Sequence, residues 1–551
     1  MRIFALLVIF FAFVNAASSS KGQTEKPLRG AALRAKTNEK YDRLNGKAPD
    51  HYQKRAEFIN ANKDRLNAKV KAKLDANRER FIKAREAQKK NKVPGAPADQ
   101  PFTKKPRHEP SIAQINAALG LHEVFWDGDQ DLNDRQLKEI FGLQQTTTPS
   151  TRGKRQTMVD SQYPDDTWTQ GIPYFFDPSL PANRVAAVQT AIAFWQANTC
   201  VRFTQVSGPD ASAITPVVRF FNGTGCNSPV GRETDPSVVT QDISLGDGCD
   251  PPGVAAHEIG HSLGMYHGQS RADRDQWISV NTSNVEPKFV FAYDEASSTT
   301  NNNFGMRYDM RSIMHYEPNG FAIDPNIPTM NAFDVLAQSS MGASRMPVFT
   351  DITLINYLYK CYDACASSGT VCSNGGMPNP NNCAVCQCPS GFAGNDCSAV
   401  APASGAVGSC GGPLTATADW TDLVVTNQIG NGVWAESTIE AHCTWHIMAP
   451  AGQVVQFYVK SVGANGDNAT HCSSDCHFAG VDIKWDSNKQ PEGYRICCPD
   501  NYYLMAQSSD NRLVVRAYNY WFYTDFTLTY RIGKWLQWLF LHISLLTHSA
   551  Q

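Results

Sequence analysis

No cysteine occurs before Cys200, although the 551-residue chain carries 16 of them. An even number at short spacings marks a disulfide framework built in an oxidising compartment, and its absence from the first third sets that segment apart. Long apolar runs are also lacking. The block Ile3 to Val14, after Arg2 and before the small residues Ala16 and Ala17, is shorter than the roughly 20 residues a membrane span needs. Residues 1–16 therefore read as a secretory signal peptide. The apolar tail 534–551, with two tryptophans, is also too short to span and lacks the spacer of a lipid-anchor signal, so no transmembrane anchor is expected. Acidic residues are scarce at the start: residues 1–155 hold 31 Lys+Arg against 17 Asp+Glu, whereas residues 156–551 hold 19 against 35, a net of −16. That balance argues against nucleic acid as a partner of the later part.

What is present is organised around His257-Glu-Ile-Gly-His261-Ser-Leu-Gly-Met-Tyr-His267. Residues four apart on a helix share a face, so His257 and His261 can point at one ion. Gly264 can end the helix with positive φ and let the chain return His267 as a third ligand. Three neutral imidazoles hold Zn²⁺ at about 2.0–2.1 Å and leave a position for water, the arrangement of a catalytic site. Glu258 lies beside the ligands without being one, which suits a general base. The long form of the motif, with Ser312-Ile313-Met314-His315-Tyr316 as a Met-turn downstream, is a metzincin signature.

The histidine motif, its continuation Gln269-Ser-Arg-Ala-Asp-Arg-Asp275 and the SIMHY segment resemble the astacin family of zinc endopeptidases, as do Ile172-Pro-Tyr174, Thr199-Cys-Val-Arg-Phe203 and Ile355 to Cys361. The resemblance implies an α+β two-lobed protease domain over 156–361, with Tyr316 as a movable zinc ligand that helps hold the oxyanion and Met314 as the floor below the metal. It implies the bridges Cys200–Cys361 and Cys226–Cys249. Trp126-Asp127-Gly128-Asp129 is similar to the family's propeptide latch, which makes Asp129 the inhibitory zinc ligand of a zymogen. Paired-basic Arg152-Gly-Lys-Arg155 is then the cut site of a furin-type convertase, freeing Gln156 and removing a propeptide of residues 17–155. Gly268 stands where the family carries a Glu that meets the new amino terminus. Within the propeptide, Leu66, Val70, Leu74 and Phe81 in a charge-rich stretch predict a long solvated helix, Ser111 to Leu121 a short one, and Pro94 to Pro106 a linker.

Residues 362–398 resemble an EGF-like module, whose family pairing is Cys365–Cys383, Cys372–Cys386 and Cys388–Cys397. Residues 399–409 form an Ala/Gly/Ser/Pro linker. Residues 410–533 resemble an all-β CUB sandwich with Cys410–Cys443 as its first bridge, and the pairing of Cys472, Cys476, Cys497 and Cys498 stays open. CUB domains often carry calcium, but no acidic ligand set is read here. Asn222, Asn281 and Asn468 are glycosylation acceptors. The whole reads as a multi-domain secreted zymogen with one zinc ion, acting on proteins of the extracellular matrix or cuticle. The alternative is a catalytically silent protein that keeps the zinc fold while its EGF and CUB modules bind matrix; the intact Glu258 and three histidines oppose it.

Overall fold

The computed structural model describes residues 49–89, 91–97, 110–121, 125–140, 157–158, 162–295 and 301–533. Residues 1–16, read above as a signal peptide, the Arg155–Gln156 bond and the tail 534–551 lie outside the described residues. The chain divides into two units, Met1–Glu57 and Phe58–Gln551. Only the start of one helix represents the first, and the packing below belongs to the second.

Helix α1, Pro49–Lys89, is 41 residues long. Ile59, Leu66, Val70 and Leu74 fall on one stripe of it and are buried, in one cluster with Trp126, Leu132, Val285, Phe289 and Phe291. The helix is thus not solvated all round, as its charge-rich composition suggested. Four apolar positions at spacings of seven, four and four suffice for a buried seam while the charges occupy the other faces. Side-chain amides fix its register on residues 278–291: Asn67 donates to Pro287 O at 3.1 Å and accepts from Phe291 N at 2.7 Å, and Asn77 donates to Ile278 O at 3.1 Å. Beyond the helix, Val93 N donates to Tyr503 O and Met505 N to Asn91 O, both at 3.0 Å.

Helix α2, Ile112–Ala118, starts at a capping box in which Ser111 and Gln114 satisfy each other's backbone donors. Strand β1, Gln130–Asp131, and helix α3, Asp134–Ile140, follow. β2, Thr157–Met158, pairs antiparallel with Asn301–Asn302. The first lobe contributes β3 (Ile172–Phe176), α4 (Ala182–Asn198), β4 (Phe203–Gln205), β5 (Val217–Phe221), β6 (Cys226–Pro229) and β7 (Thr240–Leu245). The sheet runs in the order β1-β6-β7-β5-β3-β4, with β6 antiparallel to β7 and β1 parallel to β6. Gln130–Asp131, far ahead of the other strands in the chain, therefore supply an edge of this sheet. On α4, Ala187, Val188, Ala191, Ile192 and Trp195 recur at helical spacing and are buried, the last four in one core with the inner face of the sheet and with α5, Pro252–Ser262. Helix α6, Phe349–Leu358, adds Leu354, Ile355 and Leu358 to the same core.

The bridges that the structure forms are Cys200–Cys361, Cys226–Cys249, Cys365–Cys383, Cys372–Cys386, Cys388–Cys397 and Cys410–Cys443. The remaining four cysteines pair as Cys472–Cys498 and Cys476–Cys497. The small module holds one hairpin, Met377–Asn379 with Asn382–Gln387, and docks on the end of α4 through Asn381 to Gln196 O and Ala197 O, both 3.0 Å. Residues 399–409 are not a free linker. Ala399–Val400 pairs with Phe392–Ala393, and Ser404 and Val407 bridge to His442 and Ile429.

The last module is a sandwich of a five-stranded and a four-stranded sheet. Its long strands Glu436–Met448 and Arg512–Trp521 pair antiparallel. A buried ion network joins it to the preceding α/β part of the chain, with Asp482 accepting from Arg311 at 2.7 Å and Arg495 at 2.9 Å. Asn222 and Asn468 are exposed and Asn281 is half-buried.

Leu74→Ala should cost about 2–5 kcal/mol of the docking of α1, since a fully buried leucine leaves a cavity. Amide hydrogen exchange across residues 58–89 should speed up accordingly, whereas Glu79→Ala on the exposed face should leave it unchanged.

Candidate metal centre

Helix α5 begins after Pro251 with Pro252 in its first turn, where a missing N–H costs nothing. It carries His257, Glu258 and His261 into the interior. Gly264, at φ 102°, ends it. Met265 N then donates to Gly260 O at 3.0 Å and Gly264 N to His261 O at 2.8 Å, a Schellman-type closure that only a residue tolerant of positive φ allows. The same turn aims Met265 O at His261 Nδ1, 2.8 Å away. His257 Nδ1 lies 2.8 Å from Ile313 O. With their outer nitrogens held by carbonyls, both rings turn Nε2 inward, the arrangement that fixes the tautomer of a metal ligand.

His267 Nε2 reaches 3.4 Å from His257 Nε2. Asp129 meets all three rings, at 3.5 Å from His257, 3.6 Å from His261 and 3.2 Å from His267. One ligand atom from each of the four residues lies within 4.8 Å of the others. His261 Nε2 and both Asp129 oxygens are buried without a hydrogen-bond partner, and Asp129 and His261 are fully shielded from solvent. Orphaned buried acceptors converging on one point are what a divalent cation would satisfy, and three imidazoles with one carboxylate suit zinc.

The electrostatics follow from burial. Desolvation pushes the Asp129 carboxyl up, but the surrounding histidines outweigh it and hold it well below the usual range. Glu258 has no such compensation: burial first, then the Asp129 charge, drive it well above. Both of its oxygens lack partners, so the side chain stands unclamped beside the ligand set.

The Met-turn lies beneath. Met314 is fully buried, and a Cβ on Gly260 would stand 3.0 Å from its sulfur, so glycine there lets the turn approach the helix. Asp351 of α6 fastens the turn, accepting from Ser312 Oγ at 2.5 Å, Ile313 N at 2.9 Å and its own helix start, Val348 N, at 2.9 Å. Tyr316 packs its ring 4.4 Å from that of His267, and its hydroxyl is buried without a partner. Tyr316 N donates to Gln269 Oε1 at 3.0 Å. Beside Gly268 the space is filled by His315, whose Cδ2 would be 3.3 Å from an added Cβ.

The structure thus brings His257, Glu258, His261, His267, Tyr316, Met314 and Asp129 together. Several contributors were not singled out in the sequence. Asp127 accepts from Ser270 Oγ at 2.7 Å, and Gln130 Nε2 lies 2.7 Å from His267 Nδ1. Asn116 donates to Gly128 O at 3.0 Å and Cys226 O at 2.6 Å, and accepts from Cys226 N at 3.0 Å. Asp127 sat inside a motif already noted, and the S-x-x-Q pattern at Ser111 marked the helix that carries Asn116. Nothing local marks Asp351 or Gln130, whose partners lie far along the chain.

Residues 160–360 match the model of the astacin family, peptidase family M12A. Zinc metalloproteinase nas-31 of Caenorhabditis elegans is 37% identical over 450 residues, covering 80% of this chain and 70% of that protein. The chain belongs to the astacin family. As a member it is a zinc metalloendopeptidase. Zinc metalloproteinase nas-27 of the same nematode is 34% identical over 378 residues, 66% of this chain and 84% of its own. Among solved structures, high choriolytic enzyme 1, a hatching enzyme zinc-protease from the medaka Oryzias latipes, is 27% identical, with 37% of this chain and 94% of that one covered at a TM-score of 0.31.

Because Glu258 touches none of the three histidines' inner nitrogens, metal binding and catalysis should separate. Glu258→Gln should keep near-stoichiometric zinc by atomic absorption and lose most peptidase activity, by about 10²-fold or more. His261→Ala should lose the metal itself.

Proposed function

We propose that the protein is a secreted zymogen whose peptidase centre is closed by Asp129 until the segment ahead of residue 156 is removed. The observation that carries this reading is the position of Asp129, fully buried with its two oxygens 3.2–3.6 Å from three histidine Nε2 atoms. His257, His261 and His267 would hold the zinc, and Asp129 takes the place that a water molecule needs. Zinc, when bound, supplies Lewis-acid polarisation of the scissile carbonyl and lowers the pKa of a coordinated water towards 7.

Glu258, unclamped beside the three histidines, acts as the general base and passes the proton on to the leaving amine. Tyr316 O–H, without another partner, is free to donate to the developing oxyanion. Withdrawal of β1 would open the free edge of β6, onto which an extended peptide can pair by main-chain hydrogen bonds.

Residues 17–155 then form the propeptide, with furin-type cleavage after Arg155. Residues 156–361 are the protease domain, 362–398 an EGF-like module and 410–533 a CUB domain. The reading is supported by the disulfide-pinned hairpin and the two-sheet sandwich. Proteins of the extracellular matrix or cuticle are the substrates that fit a secreted enzyme with such modules. Among the described residues no helix is long and apolar enough to cross a membrane.

Latency should depend on the carboxylate. In an uncleavable precursor, Arg155→Ala, the added change Asp129→Ala should raise activity on a casein or peptide substrate at least about 10-fold, since one well-placed charged group is worth more than 1.4 kcal/mol. Equal activities would overturn the role of Asp129 and leave steric blockage by the segment alone.

A further inference from the structure

Glu317 follows Tyr316 directly and is 7% exposed. Among the described residues it has no ion-pair partner. Its one side-chain hydrogen bond comes from Ser111 Oγ, 2.5 Å from Oε1. A carboxylate this far out of water ordinarily meets a cation or several N–H donors, because a single hydroxyl does not replace its hydration.

Ser111 belongs to the piece that closes the metal centre. It caps α2, and Asn116 of α2 holds the carbonyl of Gly128 and both backbone groups of Cys226. The element that carries Asp129 into the histidines therefore also lays a short neutral group on Glu317. When it leaves, Glu317 and the metal centre are uncovered together, and the carboxylate loses its hydrogen-bond donor. The occupant that suits it then is a cation, since an ammonium or guanidinium forms a charge-assisted hydrogen bond about twice as strong as a neutral one. Residues 156–551, with 19 Lys+Arg against 35 Asp+Glu, set a field of the same preference.

We propose that Glu317 is a specificity-determining residue that selects peptide substrates carrying a lysine or arginine close to the scissile bond; this rests on the peptidase reading above. The test uses the full chain cleaved after Arg155 and a set of quenched peptides in which each position flanking the scissile bond is Lys, Ala or Glu in turn. At one position the wild-type enzyme should favour Lys over Ala in kcat/KM by about 10-fold. Glu317→Gln should bring that ratio to near 1 while the Ala peptide changes by less than about 3-fold, and Glu317→Lys should turn the preference towards the Glu peptide. Turnover of the Ala peptide by all three proteins shows that the peptidase reading stands, so an unchanged Lys-to-Ala ratio in both variants overturns the assignment of Glu317 alone. A uniform loss on every peptide overturns it as well, because that is the mark of a merely structural role.

Discussion

Four buried side chains converge on one point, and the rest of the protease domain serves that convergence. His257, His261, His267 and Asp129 bring ligand atoms within 4.8 Å of one another in a space closed to solvent. Groups of this kind are costly to bury unless a cation meets them, so their positions must be enforced from outside. The enforcement is by backbone. Carbonyls of Ile313 and Met265 hold the outer nitrogens of two rings, Gly264 supplies the turn that carries the chain to His267, and Asp351 ties the Met-turn to α6 through two hydrogen bonds while capping its own helix with a third. The last is a carboxyl pushed up to about 7 by burial, kept inside because the turn's backbone donors need it.

The residues ahead of the protease domain are held by much more than one carboxylate. α1 contributes an apolar stripe and amide hooks, α2 a capped helix with Asn116 at its inner side, and β1 an edge strand. Asn91 and Val93 also reach the last sandwich. A cut after Arg155 breaks none of these contacts, so in the zymogen reading the release of the segment is a separate event from its cleavage. In that reading Asp129 supplies the chemical closure of the site, and the other contacts hold the segment in place.

The two small modules do not hang on flexible tethers. Asn381 and Gln387 bond the carbonyls at the end of α4, which Arg202 and Asn356 also meet, so that helix terminus is capped by side chains. Arg495 reaches both Asp482 in its own module and Ala343 O in the protease domain. Removing one partner of such a buried charge set leaves the others uncompensated, which makes the junction specific in geometry.

By itself the sequence determined what depends on local spacing and residue chemistry: two histidines four apart on a helix, a glycine able to stop it, a third histidine just beyond, a glutamate that is no ligand, and cysteines confined to one part of the chain. Family likeness extended this to Asp129, Tyr316 and the bridge pairs. Only the tertiary structure decided which distant groups support the centre. Asp351, Gln130, Asn116 and the Ser111–Glu317 contact join residues far apart in the chain, and no periodicity encodes such a meeting. It also decided that α1 is covered on one side, that residues 399–409 are pinned, and that adjacent Cys497 and Cys498 part to Cys476 and Cys472. The physical reason is common to all of these. Backbone conformation and metal-ligand spacing are properties of a few neighbouring residues, whereas burial and pairing depend on which surfaces the completed fold brings into contact.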